Sequence, residues 1–212
     1  MAREITIVGC GPGSPDYLTP AAVEAVERAE VLVGAKRLLE LFPASAAERI
    51  FVGADVDGVL TSIDEKARGK PVAVLVTGDP GLFSLAGRVI ARFGRETCRV
   101  IPGISSVQAA FAELGLDWWD AKIVSAHKEL PNDEAVAGLV ASEKVAVLGG
   151  RADAGPWIAG LVKRMEPGRR IFVLEDITLP NERVYETSCS DLEAGRLAPR
   201  SVILIVKAEA LR

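Results

Sequence analysis

The feature that most constrains the fold is a short apolar run that stops at a tight turn, within residues 70–84. The run is rich in β-branched residues and does not alternate with polar ones, which is typical of a parallel strand covered on both faces. A glycine- and proline-rich turn follows at 77–81, and we predict a helix at 82–93. Because ligands of open α/β sheets bind beyond the carboxyl ends of the strands, this turn is a candidate binding site. An ordinary strand-to-helix turn uses the same residue types.

The same order of strand, loop and helix recurs along the first half of the chain. Further strands are predicted at 4–8, 31–33, 50–52 and 98–101, and each precedes a loop and a helical pattern. This order indicates a mostly parallel sheet with helices on both faces.

The strand pattern restarts in the second half of the chain, where strands are predicted at 121–125, 144–148, 170–174 and 201–206. An alternating segment at 184–187 indicates antiparallel pairing and hence a mixed sheet. We therefore predict two α/β domains, residues 1–115 and 116–212, with the active site in a cleft between them. Trp118 and Trp119, at the junction, are predicted to anchor the core and the linker.

Composition limits the classes of protein that fit. The chain has 212 residues, 49% of them hydrophobic, which is enough for a sizeable core. A net charge of -4 argues against a nucleic-acid or membrane surface as the main binding face. The three cysteines are widely spaced, which favours reduced thiols and no structural metal. Without an apolar signal core or membrane-length run, the expected location is the cytoplasm.

The first glycine-rich loop, at 9–16, has the layout of a nucleotide site but not a known phosphate motif. Pro12 and Pro15 interrupt the spacing of the dinucleotide fingerprint, and no Gly-Lys-Ser/Thr follows. Lys36 and Arg37 stand after the second strand, where a nicotinamide-binding oxidoreductase would need an acid. That class is therefore disfavoured, whereas a non-catalytic nucleotide-binding module stays open.

Taken in order, the loops at 9–13 with 16–19, at 77–80 and at 102–106 resemble those of the tetrapyrrole methylases, a family that methylates corrinoid and sirohaem precursors. Residues 33–37, 125–127, 175–176 and 179–183 resemble the branch that methylates carbon 5 of precorrin-7 or its cobalt form. That branch usually has His-Gly-Arg where this chain has His-Lys-Glu at 127–129. Other precorrin methylases, diphthine synthase and ribosomal-RNA methylases share some of these loops and stay open as alternatives.

The resemblance implies S-adenosylmethionine as the cofactor. Asp79 could hold one of its positive charges, while Ser105 and Ser106 could donate hydrogen bonds to its carboxylate, although Ser105 also suits a helix N-cap. The implied cofactor-binding residues are Pro12, Gly78, Asp79, Pro80, Leu82, Ser105, Ser106, Leu148, Gly149 and Glu175.

The resemblance implies a tetrapyrrole substrate with several carboxylates, toward which cationic side chains should converge. The substrate-binding candidates are Gly11, Asp16, Lys36, Arg37, His127 and Lys128. Attack of a ring carbon on the cofactor's methyl group needs alignment more than a strong base, so no catalytic residue is assigned. The resemblance also implies a homodimer, and a separate enzyme for methylation at carbon 15.

Overall fold

The computed structural model describes residues 4–127 and 129–211, without the side chain of Lys66. It forms two compact units, one ending at Ser105 and the other beginning at Ser106. Each unit contains one five-stranded sheet with helices. No helix in the described part of the chain is long and apolar enough to cross a membrane.

The first unit is a parallel sheet in the order β3-β2-β4-β1-β5. Short 3-10 helices follow β1 and α4. The strands are β1 (Ile5–Gly9), β2 (Val31–Gly34), β3 (Glu48–Phe51), β4 (Val72–Val76) and β5 (Cys98–Ile101), and the helices are α1 (Pro20–Glu27), α2 (Lys36–Leu39), α3 (Val56–Lys66) and α4 (Ala86–Phe93).

Strand β4 shows why the apolar run in the sequence does not alternate. All of its residues are buried, because helices cover both faces of the sheet. Val72, Val74 and Val76 pack in one apolar cluster with residues of α3 and α4, whereas Ala73 and Leu75 pack in another with residues of α1 and α2. The carboxyl ends of all five parallel strands lie along one edge of this sheet.

The second unit is a mixed sheet in the order β6-β7-β10-β8-β9. Strands β6 and β7 pair in parallel, and the other pairs are antiparallel. The strands are β6 (Lys122–Ser125), β7 (Lys144–Leu148), β8 (Arg169–Glu175), β9 (Arg183–Thr187) and β10 (Ser201–Lys207), and the helices are α5 (Ser106–Glu113), α6 (Asp133–Val140), α7 (Ala154–Arg164) and α8 (Cys189–Ala194). The predicted combination of a parallel first sheet and a mixed second sheet is confirmed.

Three local features differ from the sequence-based expectations. Helix α4 begins at Ala86 instead of residue 82, since Phe83 has a positive φ of 47° and Ser84 Oγ donates to Pro80 O, which extends the turn. The side chains of Trp118 and Trp119 are 45% and 85% exposed, so the prediction that they belong to the core was wrong. Helix α5 lies in the second unit because it packs against β10, whereas the sequence placed it in the first domain.

Candidate active site

The loops that follow β1 and β4 are joined through their backbones. Gly78 N–H donates to Gly11 O at 2.8 Å, and Cys10 N–H donates to Val76 O at 2.9 Å. Gly11 and Gly78 both have positive φ, at 72° and 66°, a conformation that glycine adopts without steric cost. These contacts bring Gly11, a predicted substrate residue, next to Gly78, a predicted cofactor residue.

The loop after β5 closes on the other two loops at Gly103. A Cβ on Gly103 would lie 2.5 Å from Gly78 O and 2.7 Å from Gly9 C, and a Cβ on Gly9 would lie 2.6 Å from Gly103 N. These neighbours are backbone atoms that have little room to move. The carboxyl ends of three adjacent strands are therefore packed as closely as peptide groups allow.

Asp79 connects the turn after β4 to the loop after β5. Its Oδ1 accepts the N–H of Gly81 at 2.7 Å, and its Oδ2 accepts the N–H of Gly103 at 3.1 Å. Asp79 and Leu82 are partly buried and Pro80 is buried, so the turn is well packed. The structure thus assigns Asp79 a clear role within the protein itself.

The two cations predicted after β2 behave differently. Arg37 donates a hydrogen bond to Thr77 Oγ1, which places its guanidinium at the turn after β4. Lys36 is 81% exposed, and its Nζ lies 3.9 Å from Glu40 Oε1, one helical turn further along. Arg37 is therefore brought to the other candidate residues of this unit, whereas the ammonium group of Lys36 lies beside a surface carboxylate. The sequence placed Thr77 in the candidate turn but did not predict its bond to Arg37, because the two residues are far apart in the chain.

Buried Cys10 lies at the same edge, immediately after β1. Burial raises the pKa of its thiol to about 12, although a hydrogen bond from the backbone of Val76 and the charge of Arg37 act in the opposite direction. Its Sγ donates to Val8 O at 3.6 Å. This thiol is protonated and packed at neutral pH, so it is a structural residue of the edge.

The remaining candidates of the first unit are divided between buried and exposed positions. Pro12 is buried beside Gly11, whereas Asp16 is exposed and accepts a hydrogen bond from Ser14 Oγ at 3.2 Å. Ser105 is only 5% exposed at the end of this unit. Ser106 is the first residue of α5 in the second unit.

In the second unit, His127 lies beside the end of β7. Its Nδ1 is 3.3 Å from the carbonyl oxygen of Gly149, so Nδ1 must carry a hydrogen to bond there. A Cβ on Gly150 would lie 2.5 Å from the same nitrogen, and Gly150 has a φ of 123°. His127 is thus brought next to Leu148 and Gly149, two predicted cofactor residues. Lys128 lies outside the described residues.

Glu175, at the end of β8, is 7% exposed and is held within its own unit. Its Oε1 accepts hydrogen bonds from Tyr185 Oη at 3.2 Å and from Ala198 N–H at 3.3 Å, and its Oε2 lies 3.4 Å from Arg183 Nη1. Burial, and then the charge of Glu175, raise the pKa of Tyr185. The sequence did not identify Tyr185, because an alternating edge strand offers many equivalent polar positions.

The turn after β8 contains two non-glycine residues with positive φ, Asp176 at 49° and Thr178 at 69°. Asp176 is held by Arg200 Nε and Asn181 Nδ2, each at 2.5 Å. Such conformations cost free energy and persist only where surrounding contacts hold them. The sequence pattern at 175–183 therefore corresponds to a tightly held turn.

Parallel strand ends with glycine-rich loops, in a chain of two α/β units, are typical of ligand-binding α/β proteins. A family model for the tetrapyrrole (corrin/porphyrin) methylases matches residues 4–193. The chain belongs to this family, and the resemblance inferred from its loops is confirmed.

Similar proteins extend this result. The chain is 38% identical to the cobalt-precorrin-7 C(5)-methyltransferase of Salmonella typhimurium over 202 residues, which cover 94% of this chain and 98% of the relative. It is 35% identical to a probable cobalt-precorrin-7 C(5)-methyltransferase of Methanocaldococcus jannaschii over 198 residues, which cover 90% of this chain and 92% of the relative.

Solved structures agree on the fold. The precorrin-6Y methylase of Archaeoglobus fulgidus superimposes with a TM-score of 0.72 at 29% identity and covers 96% of this chain and 97% of its own. The uroporphyrin-III C-methyl transferase of Thermus thermophilus, solved with S-adenyl homocysteine, has a TM-score of 0.81 at 22% identity. The match covers 99% of this chain and 100% of that chain. The latter likeness supports the fold alone.

Proposed function

We propose that this protein is an S-adenosylmethionine-dependent methyltransferase of cobalamin biosynthesis that methylates carbon 5 of cobalt-precorrin-7 or of its metal-free counterpart. The observation that carries the proposal is the 38% identity, over nearly the whole of both chains, to an enzyme named for that reaction. A relative named for another position of the ring, the probable cobalt-factor III C(17)-methyltransferase of Salmonella typhimurium, is 29% identical and matches only 52% of this chain. Carbon 5 is therefore the favoured position.

The residues at the strand ends fit S-adenosylmethionine. The loops after β1, β4 and β5 carry glycine, proline and serine, whose peptide groups and hydroxyls are of the kinds that bind carboxylate, amino and ribose groups. The proposed cofactor residues remain Pro12, Gly78, Asp79, Pro80, Leu82, Ser105 and Ser106 in the first loops and at the start of α5, and Leu148, Gly149 and Glu175 at the ends of β7 and β8.

When bound, S-adenosylmethionine would supply an electrophilic methyl group. The protein's own part would be to hold the substrate carbon in line and to exclude water, which can contribute several kcal/mol to lowering the barrier. Cys10 does not suit a proton transfer at neutral pH, since its pKa is near 12. We assign no general base.

Arg37 is the best supported of the proposed substrate residues, because its hydrogen bond to Thr77 holds it at the edge where the loops meet. Such a guanidinium can bind a substrate carboxylate through two parallel hydrogen bonds. Lys36, which lies beside Glu40, would contribute less. Gly11, Asp16, His127 and Lys128 complete the proposed set.

An assay of methyl transfer to cobalt-precorrin-7 tests both the methyl donor and the ring position that we propose. Purified protein with S-adenosylmethionine should add one methyl group at carbon 5, detected by mass spectrometry and by magnetic resonance of labelled product. Methylation of a different carbon would support another branch, and binding without transfer would support a nucleotide-binding module.

In the same assay, Arg37→Gln should raise the apparent substrate constant by about tenfold, and the effect should shrink as salt rises. Lys36→Gln is the matched control and should change it much less. Equal effects of the two variants would remove Arg37 from the substrate site.

We also infer that the protein acts in the cytoplasm as a homodimer. Sedimentation of the purified chain tests the dimer directly.

A further inference from the structure

The carboxylate of Asp79 joins two loops that follow different strands. Oδ1 accepts from Gly81 within its own turn, and Oδ2 accepts from Gly103 in the loop after β5, at 2.7 and 3.1 Å. Because the two oxygens belong to one planar group, a single side chain fixes both backbone segments at the same time. Hydrogen bonds to an ionised acceptor are about twice as strong as those between neutral groups.

Gly103 is confined on its other side by backbone. The carbonyl oxygen of Gly78 and the backbone of Gly9 lie within 3 Å of the position that a Cβ on Gly103 would occupy. Gly103 is therefore held between the Asp79 carboxylate and two peptide groups. The position of the loop after β5 depends on this arrangement.

An alternative role for Asp79 is direct pairing with a positive charge of the cofactor. None of the lysine and arginine side chains that the structure describes forms an ion pair with Asp79. Its carboxylate instead accepts one backbone N–H hydrogen bond at each oxygen, from Gly81 and from Gly103. Each carboxylate oxygen has room for a second hydrogen bond, so pairing with a ligand cation would add to these two contacts rather than replace them.

We propose that Asp79 is a positioning residue: its carboxylate sets the separation between the turn after β4 and the loop after β5, and so fixes the backbone that receives the cofactor. This inference rests on the proposed function, since it concerns the same site. On this proposal, Asp79 increases the affinity for the cofactor by holding the two loops in place. It does not act through direct contact with a charged group of the cofactor.

Two probes separate the two roles. S-adenosylhomocysteine carries the amino and carboxylate groups of its amino-acid part, whereas 5′-methylthioadenosine lacks both. If Asp79 positions the loops, Asp79→Ala weakens both probes by a similar factor, about tenfold. Asp79→Asn keeps one acceptor oxygen, so its affinity for each probe should fall less than that of Asp79→Ala. Loss confined to S-adenosylhomocysteine would overturn the proposal in favour of a direct ion pair.

Hydrogen exchange of the protein without ligand provides a second measurement. Asp79→Ala should speed amide exchange at residues 79–82 and 102–105 while strand β4 stays protected. Asp57→Ala is the matched control, because Asp57 is an exposed carboxylate of α3 that pairs with Arg88. Unchanged exchange in both loops would overturn the proposal.

The two measurements also separate this inference from the proposed function. If the wild-type chain binds neither probe but exchange responds as expected, the cofactor assignment fails and the positioning role stands. If the wild type binds both probes but exchange in Asp79→Ala is unchanged, the positioning role fails and the function stands. Should Asp79→Ala not fold, Asp79→Asn carries both measurements.

Discussion

The two units hold their strand ends in different ways. In the first unit, Gly9, Gly78 and Gly103 pack backbone against backbone, and Asp79 adds a side-chain link between the loops after β4 and β5. In the second unit, side chains hold the ends, as Tyr185 and Arg183 do for Glu175.

The order of the strands explains this difference. In the parallel sheet, the ends of β4, β1 and β5 are neighbours, so their loops can touch directly. In the mixed sheet, the start of β10 lies between the ends of β7 and β8, where Gly149 and Asp176 donate to the carbonyls of Ser201 and Arg200. The loops after β7 and β8 are therefore not neighbours, and the side chains that hold Glu175, those of Tyr185 and Arg183, come from β9 on the other side of β8. Where backbone packs against backbone, no added atom is tolerated. Where side chains make the contacts, a conservative substitution is tolerated.

The largest effect should come from adding one methyl group to the backbone contact. Gly103→Ala places a Cβ 2.5 Å from Gly78 O, where no flexible side chain can move away. We expect a loss of about 3 kcal/mol in the free energy of unfolding of the first unit. Hydrogen exchange in β1 and β4 measures it.

Gly87→Ala is the control for that variant. Gly87 lies in α4 of the same unit, and an added Cβ there meets nothing within 4 Å. The glycine-to-alanine substitution should stabilise the helix by about 0.5–1 kcal/mol. If Gly103→Ala is as mild as Gly87→Ala, the strand ends are not close-packed.

The next effect concerns Lys144, a buried lysine at the start of β7. Its Nζ lies 2.6 Å from Asp117 Oδ1 and 2.6 Å from Asp120 Oδ1. Lys144→Met keeps the apolar stem but leaves both carboxylates without this partner, and should destabilise the second unit by about 2 kcal/mol. All three tryptophans follow Ser106 in the sequence, so their fluorescence in urea reports this unit. Lys122→Met, at an exposed position on β6, should change little.

The same cluster predicts a pH dependence. Burial disfavours the charge of Lys144, but hydrogen bonds with Asp117 and Asp120 outweigh it and raise its pKa; the bond from Lys144 lowers the pKa of Asp117. The lysine's contribution is therefore complete below its ordinary pKa of 10.5 and is lost as pH rises through the raised value. The aspartate's contribution is present above 3.8 and is lost as pH falls through the lowered value. Urea titrations of wild type and Lys144→Met should converge at both extremes.

A smaller effect is expected for Glu175→Gln. The amide keeps the shape and one acceptor, so the loss should be about 1 kcal/mol. Because the charge of Glu175 helps to raise the pKa of Tyr185, that pKa should fall toward its ordinary value. In a Tyr17→Phe background Tyr185 is the remaining tyrosine, and the absorbance of its phenolate gives the pKa. An unchanged pKa would show that the side-chain network at β8 is weaker than the contacts indicate.

The smallest expected effect concerns the chemical reactivity of the Cys10 thiol. With a pKa near 12 and a buried side chain, Cys10 should resist thiol reagents at neutral pH, while half-buried Cys98 and Cys189 react first. Gly103→Ala should speed the modification of Cys10 if it loosens the strand ends. Rapid labelling of wild-type Cys10 would contradict the packing described for this edge.

The sequence alone predicted the order of strands and helices, the parallel and mixed sheets, and the family. Strand β5, for example, begins and ends at the predicted residues, because apolar runs and glycine or proline turns are local signals. The loops at 9–13, 77–80 and 102–106 were recognisable for the same reason.

The tertiary structure decided what those residues contact. The sequence suggested that Asp79 could meet a ligand charge, but the fold places its oxygens on Gly81 and Gly103. It also separated Arg37 from Lys36, and left Trp119 mostly exposed where the sequence predicted a buried anchor. A hydrogen bond or a buried face depends on which distant segments meet, and that depends on strand order and loop conformation rather than on local composition.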